Sequence, residues 1–176
     1  MKITEKFSNI SIDLSPIGLL EHDGGYFCTP KNAVTFAGIG VDGIHFCIIP
    51  DENDLTLENS PVYVISPMMS DHYVEIVAEN FYDFISLVIT AKDAGALECI
   101  SYFTRERYFE YLQSISDSLL QNTEFNNKVK KATTALLDEF NNIKKIDDVY
   151  GYVKQLQAKT DLTKIQYTDE YYDLIG

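Results

Sequence analysis

Residues Tyr26–Pro50, YFCTPKNAVTFAGIGVDGIHFCIIP, decide the fold. Two apolar runs, Val34–Ile39 and Ile44–Pro50, flank Gly40-Val41-Asp42-Gly43. Both runs are rich in β-branched and aromatic residues, which suit a pleated, packed surface. Gly40, Asp42 and Gly43 tolerate positive φ, so the connection reads as a structural hairpin turn. In the second run Ile44, Phe46 and Ile48 point one way, and His45, Cys47 and Ile49 the other. Neither face suits solvent, which predicts a central strand covered on both sides.

Upstream, Tyr26–Thr29 reads as a strand between turns at Glu21–Gly25 and Pro30–Asn32. Ile10, Ile12 and Leu14 alternate with polar residues, as in a short strand or extended arm. Downstream, residues 51–60 (DENDLTLENS) form an acidic loop, and strands follow at Pro61–Ser66 and Tyr73–Ala78. The expectation is about five strands with connections too short for crossover helices, hence an antiparallel meander.

At Asn80 the period changes from 2 to 3.6. Asn80 is a good N-cap, Asp83 can reach back to the free amides, and Phe81, Phe84, Ile85, Val88 and Ile89 form one stripe. Further helices are expected over residues 96–103, after Thr104, around Phe125–Phe140 and after an Asp147 cap. The aromatic tail, DLTKIQYTDEYYDLIG, should pack back. The fold class is therefore α+β: a sheet domain over residues 1–103, then a helical extension over 104–176 that either stands apart or packs on the first part as a single domain.

The net charge is −13, from 14 basic and 27 acidic residues. Residues 1–103 hold 15 acids and 4 Lys, a net of −11, and residues 104–176 hold 12 acids and 10 bases, a net of −2. Such a field repels nucleic-acid phosphates and anionic lipid and draws in a basic protein surface. Asp51, Glu52, Asp54 and Glu58 in the acidic loop are the candidate partner-binding residues, since loops carry recognition on a rigid sheet. Three cysteines, Cys28, Cys47 and Cys99, with no Cys-x-x-Cys pair, fit a reduced, cytoplasmic protein. The N-terminus has no unbroken apolar run, so no signal peptide is expected, and no apolar stretch approaches the ~20 residues of a membrane span.

Gly38–Gly43 matches G-x-G-x-x-G letter for letter, but a dinucleotide site needs a helix opening at the last glycine. Here a β-branched run follows, so the motif is a turn and no cofactor is expected. His22, His45 and His72 each lie near acids, yet none has metal-ligand spacing. On a central strand His45 is more often a hydrogen-bonded core residue than a ligand. His22 and His72 fall in loops. Cys28 and Cys47 would need a neighbouring base to act as nucleophiles. No catalytic residue and no metal site emerges.

The order of Asp23-Gly24-Gly25, the GIGVDG turn entering HFCII, Pro61-Val-Tyr-Val after an acidic loop, and a helix opening Asn80-Phe-Tyr-Asp-Phe84 resembles the SUKH superfamily. That superfamily includes bacterial immunity proteins and fungal cell-wall regulators. The resemblance covers about residues 16–90. It implies one antiparallel sheet packed by helices, and a non-catalytic role in binding a protein, often as the antidote to a nuclease toxin. The family's amphipathic N-terminal helix has no match in residues 1–20, and residues 104–176 fall outside its pattern. Two rival readings stand beside it. One is a structural or regulatory scaffold acting through the helical C-terminal part, and the other an enzyme with a small-molecule site near Asp42, His45 and His72.

Overall fold

A computed structural model describes residues 1–51, 53–141 and 143–175. Four strands, β1 (Val34–Gly38), β2 (His45–Ile48), β3 (Val62–Ile65) and β4 (Val74–Ala78), form one antiparallel sheet in sequence order. Helices α1 (Ile3–Ser8), α2 (Phe81–Ala91), α3 (Gly95–Cys99), α4 (Arg105–Gln121), α5 (Thr123–Glu139), α6 (Val149–Lys159) and α7 (Asp169–Ile175) surround it. The α+β meander matches the expectation. The strand count is four, not five.

The expected fifth strand, Tyr26–Thr29, is a turn. The Thr29 N–H donates to the Tyr26 carbonyl at 2.8 Å and the Tyr26 N–H to Thr29 Oγ1 at 2.8 Å, closing the segment on itself. Among the described residues the arm at Ile10–Leu14 joins no strand, and the one isolated bridge to the sheet is Leu20–Gly38. Nor is the N-terminus extended throughout. Residues 3–8 form α1, which buries Ile3 and Phe7 at i, i+4 spacing.

Every residue of β2 is buried. Ile44, Phe46 and Ile48 face a core shared with α2, while Cys47 faces a second cluster with Cys28, Tyr63, Ile65, Val74 and Ile76. The first core is aromatic. Phe36, Phe46, Phe81 and Phe84 lie with ring centroids 4.9–6.2 Å apart in the pairs they form, and Phe140 reaches Phe81 at 5.3 Å. The second cluster is covered by Phe27 and by Leu162, Ile165, Tyr167 and Tyr171 from the tail, which packs back as expected.

Caps place the helices. Asn80 accepts from the Asp83 N–H at 2.9 Å and starts α2, as its sequence position predicts. The Asp83 carboxylate does not reach back; it accepts from Tyr152 of α6 at 2.7 Å. Thr104 and Asn122 cap α4 and α5. The cap of α6 is Asp148 rather than Asp147, because Asp148 Oδ1 accepts from the Gly151 N–H at 2.9 Å. Asp147 instead pairs with Lys145.

The helical part enters both clusters. Tyr108, Val129, Ala132, Leu136, Phe140, Val149 and Val153 lie in the first, and Leu156 in the second. Among the described residues no helix is long and apolar enough to cross a membrane. Phe140 is 1% exposed and contacts α2 from the far end of α5. Phe140→Ala should therefore cost the whole chain about 3–5 kcal/mol. Denaturant unfolding followed by far-UV and by near-UV tyrosine dichroism should show one transition moved to lower denaturant. A second, unmoved transition from residues 1–103 would mean that the two parts unfold separately.

Candidate functional site

The hairpin turn has the backbone its residues permit. Gly40, Asp42 and Gly43 take φ of +83°, +51° and +69°. Added to Gly43, a Cβ would lie 2.5 Å from the Tyr26 ring, so glycine here admits both the turn and the ring packed over it. Asp42 is exposed at the tip.

Beside the turn three near-parallel rings pack against one another. The His45 ring lies 4.8 Å from that of His22, 10° from parallel, and 5.8 Å from that of the exposed Tyr26. Both nitrogens of the buried His45 are engaged: Nδ1 lies 2.8 Å from the Gly43 carbonyl and Nε2 3.1 Å from Thr29 Oγ1. A carbonyl only accepts, so Nδ1 carries the proton and Nε2 accepts from the Thr29 hydroxyl. Burial lowers the His45 pKa, against the Gly43 hydrogen bond that raises it, and His22 lowers it further. The ring is thus held neutral as a structural histidine.

His72 stands apart, with Nδ1 2.7 Å from Glu75 Oε1. His22 and His45 come together while His72 does not join them, and no spacing in the sequence signals that pairing. Among the described residues no group of His, Cys, Asp and Glu could hold a metal ion. Cys28, Cys47 and Cys99 are free. Burial pushes the Cys28 thiol up to about 11 and that of Cys47 further, the reverse of nucleophile activation.

The acidic loop divides by role. Asp54 accepts from Thr56 Oγ1, the Asn59 N–H and Ser60 Oγ at 3.0, 2.8 and 2.8 Å. Burial is the largest single influence on Asp54 and raises its pKa, but the hydrogen bonds from Ser60, Asn59 and Thr56 together outweigh it, so the carboxyl stays below its ordinary value. Its work is to shape the loop. Asp51 is exposed, and its N–H donates to Ser60 Oγ at 3.1 Å. Glu58 is half-buried, and its carbonyl accepts from the Phe81 N–H. Glu52 lies outside the described residues.

Asp51 and Asp54 line an open groove of about 780 Å³ together with Lys31, Tyr63, Asp161, Lys164 and Ile165, and the Lys31 N–H donates to the Gln166 carbonyl of the tail at 2.7 Å. Sequence reasoning placed the tail on the molecule but not at this groove.

Comparisons with protein-family models, curated proteins and solved structures gave no match to this chain.

Two outcomes test the turn and the stack. Gly43→Val should destabilise the fold by roughly 1–3 kcal/mol, through positive φ and the clash with Tyr26; an unchanged melting temperature would contradict it. His45 contributes stability that is fully present above its unfolded pKa near 6.5 and is lost as pH falls towards its lower folded value. Between pH 7.5 and 5.5 wild type should therefore lose more stability than His45→Gln, measured by denaturant midpoints. Parallel losses would show that folding does not perturb this imidazole.

Proposed function

We propose that this chain is a non-catalytic protein-binding module that engages a basic protein through the acidic surface of residues 1–103. One observation carries the reading. Glu5, Asp13, Glu21, Asp23, Asp42, Asp51 and Asp71 are exposed and form no salt bridge among the described residues. Uncompensated carboxylates of one sign steer a partner of the opposite sign and speed its association. The resemblance to the SUKH superfamily points the same way and supplies the partner class, a basic toxin of the nuclease type that a cytoplasmic immunity protein would neutralise. The small-molecule reading loses one of its members, since both ring nitrogens of His45 are engaged and His72 stands apart from it. A scaffold role would use exposed side chains of the helical part such as Leu120, which is 79% exposed.

In the acidic loop Asp51, Glu52 and Glu58 are the contact candidates, and Asp54 is the residue that shapes them. Each exposed pair contributes only ~0.2–1 kcal/mol, so the effect is collective. Proteins retained from native lysate on the immobilised chain would be identified, and their association rates measured against salt. Asp51→Asn with Glu52→Gln and Glu58→Gln should slow association roughly tenfold at low salt and leave folding intact. Asp54→Asn should lower the melting temperature instead. Salt-independent association would refute the electrostatic reading, and equal rates at low salt would remove this loop from the site.

A further inference from the structure

The two edges of the sheet differ. β4 is packed by α6, and Gln157 of that helix approaches the Ile76 carbonyl. Away from β2, β1 has among the described residues only the Leu20–Gly38 bridge, with N···O distances of 2.8 and 2.9 Å. Among the described residues Val34, Thr35 and Phe36 make no hydrogen bond outside the sheet. β1 has a register shift between Thr35 and Ala37, which bends the edge at Phe36, and the backbone before that bend is the template for another strand.

Beside it lies an open groove of about 490 Å³, walled by Ile10, Ile12, Leu14, Leu20 and Phe36. Its only charged lining residues are Asp13 and Glu21, both exposed and in no salt bridge among the described residues. Hydrogen bonds from Ser15 hold the Asp13 carboxyl below its usual range, with a smaller pull from Lys128, which is itself tied to Glu124 at 3.0 Å. Across Ile12, Lys130, Lys131 and Asp138 line an adjoining cleft.

We propose that this edge receives an extended segment of a partner protein that alternates apolar and basic side chains and adds beside Val34–Phe36 as a fifth strand. Main-chain hydrogen bonds to β1 supply affinity, alternate side chains enter the apolar wall, and Asp13 and Glu21 select Lys or Arg over acidic residues. A second copy of this chain is the competing occupant, and a dimer in which residues 34–36 are protected without any peptide would overturn the proposal. The inference rests on the reading that the acidic half binds a basic protein, and names where that protein is anchored.

The test uses the full chain and two fluorescent probes, short peptides alternating Val with Lys and Val with Glu. At low salt the Lys peptide should bind saturably, slow amide exchange at Val34–Phe36, and exceed the Glu peptide in affinity. Asp13→Asn with Glu21→Gln should weaken the Lys peptide about three- to tenfold. Because Asp13→Asn also weakens the bond to the Ser15 N–H, Glu21→Gln alone, whose side chain makes no hydrogen bond among the described residues, should weaken the Lys peptide in the same direction. No saturable binding, equal affinity for the two peptides, or protection elsewhere with residues 34–36 unchanged would overturn the proposal. A natural partner that binds in a salt-dependent way yet ignores both variants would overturn it too, while leaving the broader reading in place.

Discussion

β2 has no wet side. Four consecutive residues, His45–Ile48, are buried on both faces, so the sheet must be covered twice. One cover is α2 with its aromatic cluster. The other is assembled from the 26–33 turn and the tail. A buried strand also forces its one polar residue to find partners, and His45 does so through Gly43 and Thr29. The turn at Tyr26–Thr29 and the neutral imidazole thus share one cause.

The same demand ties the two halves together. Tyr152 donates to Asp83 and accepts from the Glu79 N–H, joining α6 to the start of α2. Ser86 and Thr90 of α2 bond the backbone of Ile146. Helices that look like an appendix in the charge pattern therefore close the cores of the acidic half. Their near-neutral composition leaves the negative field concentrated on the sheet-bearing side, where binding is proposed.

What was legible in the sequence is local. Asp42-Gly43 announced the hairpin because few residues accept its φ values, and Asn80 announced α2 because its side chain supplies a missing backbone partner. What was not legible depends on side chains distant in sequence. Tyr26–Thr29 alternates like a strand, but the Thr29 hydroxyl closes it. The six residues of α1 are too few for periodicity to register. Asp51 and Asp54 are alike as letters, and only the fold turns one inward to three hydrogen bonds and leaves the other in water. Asp147 and Asp148 are adjacent caps in the sequence, and the geometry of a single amide chooses between them. The His22–His45 stack spans a sequence gap that no motif describes.

The second cover of the sheet carries a cost in time. Leu162, Ile165, Tyr167 and Tyr171 leave the ribosome after every strand they shelter. Until they emerge, Cys47, Tyr63, Ile65 and Ile76 present an apolar face beside an open strand edge, a combination that favours association between nascent chains. Translation speed through the last helices, and chaperones acting there, would then govern the yield of soluble protein more than the stability of the finished fold does.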